Sequence, residues 1–319
     1  MPENEMDGRI KISPDDYQGW YNVGVNFSKL GKHQQAITAF NQAIKIKPDY
    51  YEAWNNRGNS LKLIGRFQSA LNNFNRAIEI QPNSHLVWYN RGNLLNNLEQ
   101  YREAITSFER ATKIKPDLYQ AWYNAGNTWS SLGHYREAVE NYKQAIKIQP
   151  SLYQAWHNQG KALFELGRYQ EALNSFEEVI KLKPNHYIAW NFQGKTLFYL
   201  GNTKREIISY EKAIDIKVDY QEAWNNLGQA LSNLGDWVEA IACFDQAIKI
   251  QSDYCLAYYN KARCYALQDK PYLAIENLEQ AINLGAGQPY REMAETDAHF
   301  FKISSNPKFQ ALIKDDLIY

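Results

Sequence analysis

Hydrophobic and polar positions along the chain alternate in one long register. Trp20, Trp54, Trp88, Trp122, Trp156, Trp190 and Trp224 each stand 34 residues after the last, and Tyr258 continues the series. Four residues after each tryptophan comes a glycine, from Gly24 to Gly228, with Ala262 in the eighth place. If the tryptophan is repeat position 4, position 20 is small (Ala36, Ala70, Ala104, Ala138, Ala172, Ala240, Ala274). Position 24 is aromatic (Phe40, Phe74, Phe108, Tyr142, Phe176, Tyr210, Phe244). Positions 4, 7, 8 and 11, and then 20, 24 and 27, fall at the three-to-four spacing of one helical face, so each unit predicts two amphipathic helices, A and B. A glycine at position 15 in six units predicts the turn between them, and a proline at position 32 (Pro48, Pro82, Pro116, Pro150, Pro184) ends helix B. The small residues at positions 8 and 20 let A and B approach closely, while Trp at 4 and the aromatic at 24 are expected to fill the space between neighbouring units. One such unit cannot bury its apolar face alone, so the units must stack.

Trp122, Gly126, Tyr135, Ala138, Tyr142, Ala145 and Pro150 of the fourth unit together resemble the tetratricopeptide repeat (TPR) signature. The resemblance covers eight repeats: 17–50, 51–84, 85–118, 119–152, 153–186, 187–220, 221–254 and 255–288. It implies an all-α fold, a right-handed α-solenoid of helix-turn-helix units with helix A on the concave surface and helix B on the convex one. Within that family it resembles a bacterial, cyanobacterial-like multi-repeat protein. The sixth repeat departs most, with Glu206 at the small position, and Val218, Ser252 and Ala286 replace the terminating proline.

Residues 1–16 align with the end of a helix B, Ile10, Lys11, Ile12, Ser13 and Pro14 matching Ile44 to Pro48. Two readings stand: a fragment of a longer array, or a degenerate first repeat that leaves an uncovered face through which copies self-associate. Residues 289–319 leave the repeat but keep helical patterning. They are expected to cap repeat 8, covering Tyr258, Tyr265 and Leu278, with Lys314, Asp315 and Asp316 as a polar flank.

Composition narrows the functional classes. Lys+Arg and Asp+Glu are both 35 in 319 residues, so no general attraction to nucleic acid or an anionic membrane is expected. No apolar run is long enough to span a membrane and the start MPENEMDGRI does not read as a signal peptide, which predicts a cytoplasmic protein. Cys243, Cys255 and Cys264 fit neither a metal nor a disulfide pattern, and the six histidines are scattered. Gly194, Lys195 and Thr196 look like the end of a phosphate-binding loop, but Ala189 takes the place of its first glycine and the segment is mid-helix. No cofactor, no metal and no catalytic site are predicted.

The face of helix A turned away from the core is carried by positions 2, 6, 9 and 13. Position 6 holds Asn56, Asn90, Asn124, Asn158, Asn226 and Asn260, interrupted by Phe192, and position 9 holds Asn59, Asn93, Asn127, Lys161, Lys195 and Arg263. Asparagine is a mediocre helix former, and its carboxamide offers donors and acceptors that suit the backbone of an extended peptide. The bland reading is that these residues merely keep the groove solvated. The chaperone-tail clamp found in some TPR proteins is absent, since neither position 5 nor position 2 carries its lysine. Arg57 and Arg91, at position 7, are expected to lay their stems on the buried face and point their heads to water.

Repeats 5 and 6 change the groove. Ile188, Phe192, Lys195 and Tyr199 share one helix face and predict an exposed stripe, a pocket for an apolar anchor of a partner whose acidic residue reaches Lys161 or Lys195. Against it, Glu165 stands one turn from Lys161 and repeat 6 is degenerate. The function read from these features is a non-catalytic scaffold that binds an extended peptide of a partner protein in the helix-A groove. The alternative is the targeting arm of a larger enzyme, such as a kinase, protease or glycosyltransferase.

Overall fold

A computed structural model describes residues 13–285 and 288–314, so Ile10, Lys11, Ile12, Ala286, Asp315 and Asp316 lie outside the described residues. Every regular element among them is helical. The chain divides into two compact units, Met1–Asn158 and Gln159–Tyr319.

In the first unit α1 (Tyr17–Lys29), α2 (His33–Ile46), α3 (Tyr51–Leu63), α4 (Phe67–Ile80), α5 (His85–Asn97), α6 (Tyr101–Ile114), α7 (Tyr119–Ser131) and α8 (Tyr135–Ile148) form consecutive helix-turn-helix pairs. The boundary falls inside α9 (Tyr153–Glu165). The second unit continues with α10 (Tyr169–Leu182), α11 (Tyr187–Tyr199), α12 (Thr203–Ile216), α13 (Gln221–Leu234), α14 (Trp237–Ile250), α15 (Cys255–Leu267) and α16 (Pro271–Leu284). It ends with α17 (Gln288–Thr296), a 3-10 turn (Ala298–Ile303) and α18 (Pro307–Lys314).

The aromatic at position 24 explains the glycine at position 8. A Cβ on Gly126 would stand 2.7 Å from Cε1 of Tyr142, a ring that is itself buried. The aromatic thus seats first on helix A of its own repeat. It also reaches onward as expected, since Phe108 clusters with Ala121 and Ala125 of the next repeat.

The position-4 tryptophans add a contact that their hydrophobicity does not suggest. From Trp54 onward each indole Nε1 donates to a carbonyl six residues earlier: Trp54 to Pro48 at 2.9 Å, Trp88 to Pro82 at 2.8 Å, Trp122 to Pro116 at 2.9 Å and Trp156 to Pro150 at 2.9 Å. In the second unit Trp190 does the same to Pro184 and Trp224 to Val218. The loop carbonyl is therefore what the indole holds, and Val218 can replace proline there.

Turns after helix A place position 15 in the left-handed region, at φ +73° for Gly31 and +76° for Gly133. Glu99 and Asp269 occupy the same conformation without being glycine, at φ 59° and 57°.

The segment after α16 closes the second unit. Ala294, Phe300, Ile303, Phe309 and Leu312 join Leu278, Ala281 and Ile282 in one cluster, with Tyr258 and Tyr265 packed against it.

Candidate functional site

In the first unit the position-6 asparagines are tied to the repeat before them. Asn56 Nδ2 donates to the Tyr21 hydroxyl at 2.9 Å, and Asn90 Nδ2 to Asn55 Oδ1 at 2.9 Å. Asn124 donates to Tyr89 Oη at 3.3 Å and to Asn93 Oδ1 at 2.7 Å. Asn158 repeats that pair on Tyr123 at 3.2 Å and Asn127 at 2.8 Å. Asn127 Oδ1 also accepts from the Tyr142 hydroxyl at 2.8 Å. Position 5 is thus half of the ladder. Its column of Tyr21, Asn55, Tyr89 and Tyr123 reads only as the absence of a clamp lysine until it is paired with the residue 35 places on.

These bonds fix the carboxamides without exhausting them. The Oδ1 atoms of Asn90, Asn124 and Asn158 have no partner among the described residues, nor do the Nδ2 atoms of Asn59, Asn93 and Asn127. All six side chains are half-buried. The face therefore offers acceptors from position 6 and donors from position 9 on consecutive helices.

In the second unit Phe192 replaces the asparagine link with rings. It stacks on Phe176 at 5.4 Å between centroids and meets Phe164 edge-on at 6.3 Å. Lys161 Nζ lies 5.7 Å and Lys195 Nζ 4.9 Å from its centroid, both cation-π contacts. Tyr199 stacks on Tyr169 at 4.4 Å and meets Phe164 at 5.4 Å. The stripe is less open than its spacing predicts. Ile188, Phe192 and Lys195 are half-buried and only Tyr199, 54% exposed, stands clear, because the Phe192 ring folds back onto the preceding helix pair.

The charges also differ from expectation. Lys195 Nζ faces Glu222 Oε1 at 3.5 Å, a partner within the chain. Lys161 and Glu165 form no ion pair among the described residues; Lys161 leans on Phe192 instead. Glu222 further accepts from the Tyr220 hydroxyl at 2.9 Å and from Asn191 Nδ2 at 3.2 Å. Burial, with Glu222 beside it, pushes the Tyr220 hydroxyl well above the usual phenol range.

Asn226 Nδ2 links back to Asn191 Oδ1 at 2.9 Å and Asn260 Nδ2 to Asn225 Oδ1 at 3.0 Å. Asn260 is only 4% exposed, so it does not line an open groove as expected. Arg263 is likewise drawn into the cap. Its Nε stands 3.1 Å from Asp297 Oδ2, Nη2 3.0 Å from His299 Nδ1 and Nη1 3.3 Å from Asn260 Oδ1. Burial pushes the Asp297 carboxyl up, but the His299 backbone N–H and ring, Arg263 and the Tyr259 hydroxyl outweigh it and hold the pKa below the usual range.

Arg57 and Arg91 do not send their heads to water. Arg57 Nε donates to Asn73 Oδ1 and Nη1 to Asn41 Oδ1, both at 2.6 Å. Arg91 Nε donates to Asn75 Oδ1 at 2.8 Å and Nη1 to Ser107 Oγ at 2.6 Å. Each guanidinium joins helix B of its own repeat to helix B of the one before.

Among the described residues, no helix is long and apolar enough to cross a membrane, and no group of metal-ligating side chains stands together. The tetratricopeptide repeat models match residues 51–84, 85–118, 153–186, 187–219, 222–254 and 256–284, and a model described as a TPR repeat matches 26–65 and 130–167. No curated protein matches the chain. Among solved structures it is similar to YrrB, titled a TPR protein with an unusual peptide-binding site, at 26% identity and TM-score 0.54 over 58% of this chain and 95% of that one. The C-terminal part of a TPR repeat-containing protein from Cytophaga hutchinsonii aligns at 18% identity and TM-score 0.66 over 75% and 98%. A tetratricopeptide repeat protein from Parabacteroides merdae aligns at 17% identity and TM-score 0.53 over 77% and 97%.

Proposed function

The chain belongs to the tetratricopeptide repeat family, and on that premise we propose that it is a non-catalytic scaffold holding an extended segment of a partner protein along the helix-A face. The observation that carries this reading is the half-engaged asparagine ladder. Asn124 and Asn158 use both amide hydrogens on the preceding repeat, which fixes their rotamers and leaves Oδ1 to accept a backbone N–H. Asn93 and Asn127 accept those same bonds and keep Nδ2 to donate to a backbone C=O. Groups already held in place lose little freedom on binding, which favours affinity. In the second unit Ile188, Phe192 and Tyr199 supply an aromatic and aliphatic seat, and Lys161 and Lys195 supply positive charge beside it. The YrrB title, at 26% identity, is in keeping with a peptide ligand.

The test is a random peptide library displayed against the immobilised chain, followed by calorimetry with the selected peptides. The proposal expects extended peptides whose affinity falls when Asn124→Leu or Tyr199→Ala is introduced. Selected peptides that bind both variants as tightly as the parent would refute it.

A further inference from the structure

A different face of α3 opens into a cleft of about 360 Å³ between α2 and α4. Ile37, Leu61 and the buried Asn73 line it, the exposed Asn41 and Asn72 form its rim, and Arg57 faces it, packed over the Trp54 ring at 4.4 Å. The guanidinium is half-buried and its two bonded nitrogens meet only neutral carboxamides, which leaves Nη2 with no partner among the described residues. Burial lowers the Arg57 pKa with no carboxylate acting against it.

Equivalent sites elsewhere have a carboxylate acting on the cation. Lys261, also at position 7, pairs with Asp245 at 2.6 Å. The corresponding cleft around Gln193, about 290 Å³, has its Arg205 paired with Glu177 at 2.7 Å. Arg91 has Glu103 acting on it. Arg57 thus combines a desolvated cation, neutral hydrogen-bonding neighbours and open space.

We propose that this cleft binds the carboxylate of an acidic side chain on a partner polypeptide, seated on Arg57 Nη2 and the rim carboxamides. A guanidinium recognises a carboxylate by charge-assisted hydrogen bonds, and here the aliphatic walls of Ile37 and Leu61 take the methylenes of a glutamate. One positive charge matches one carboxylate. A phosphate monoester, at close to two negative charges, would leave excess charge in a partly desolvated site. The surface is separate from the helix-A groove, so the proposal does not depend on that reading.

The experiment is fluorescence anisotropy of labelled hexaglutamate, with hexaglutamine and a phosphoserine peptide as comparators, on the full chain. Saturable hexaglutamate binding that weakens with salt is expected, with none for hexaglutamine. Arg57→Gln should weaken it about tenfold or more. Asn72→Asp, which places a carboxylate in the cleft itself, should do the same without lowering the melting temperature, and it decides the matter if Arg57→Gln fails to fold. Arg91→Gln should leave binding unchanged. Full-strength binding by Asn72→Asp or a folded Arg57→Gln, equal loss in Arg91→Gln, no saturable binding by the parent chain, or tighter binding of the phosphoserine peptide would overturn the assignment.

Discussion

Asn158 donates from Nδ2 to Oδ1 of Asn127, 31 residues earlier, at 2.8 Å, so the asparagine ladder is a set of bonds between repeats before it is anything else. Each such bond is worth about 1 kcal/mol net, against about 0.6 kcal/mol of helix propensity gained by alanine. The three residues donate five such bonds, so Asn90→Ala, Asn124→Ala and Asn158→Ala combined should lower stability by about 3 kcal/mol, read as a shift of the urea midpoint. A loss several times larger would show that the ladder is chiefly a structural staple.

Glu99 sits at φ 59° in a turn where six other repeats place glycine. A left-handed conformation costs a residue with a side chain about 1 kcal/mol, so Glu99→Gly should raise stability by about that amount in urea unfolding. The same change at an ordinary helical position would lower it.

Glu206 is 3% exposed where other repeats carry alanine, and its carboxylate has no partner among the described residues. Burial raises its pKa from 4.5 to about 7. Because the folded state binds the proton more tightly than the unfolded chain, the parent should lose stability as pH rises from about 4.5 to about 7 and change little above that. Glu206→Ala should remove this slope and gain roughly 1–3 kcal/mol at neutral pH, the cost of burying an unpaired polar group. Melting temperatures of both proteins across that range check the sign.

Asp297 carries the opposite dependence. Its pKa is depressed, so its contribution to the cap is complete above the ordinary carboxylate range and is lost as pH falls through the folded value. Protection from hydrogen exchange in α17 and α18, taken relative to the intrinsic rate at each pH, should fall at acid pH in the parent and be low at every pH in Asp297→Ala.

The helices were legible because tryptophan, glycine and the position-24 aromatic recur at one spacing, and each falls on a face that must be buried. The ladder was half legible. Asn124 declares itself at position 6, but its partners Tyr89 and Asn93 lie 35 and 31 residues away, a distance no helical period connects. Arg263 was misplaced for a related reason: its partners Asp297 and His299 belong to the cap, where the repeat register has ended. The Trp122 bond to the Pro116 carbonyl was invisible because a backbone acceptor has no signature in side-chain pattern.

The central claim is that a partner segment lies along the helix-A face. A benzophenone amino acid in place of Asn97, exposed on that face of α5, or in place of Arg110, exposed on α6, locates a peptide selected against the full chain. The account predicts light-dependent crosslinking from position 97 and none from position 110. Crosslinking from position 110 alone would contradict it.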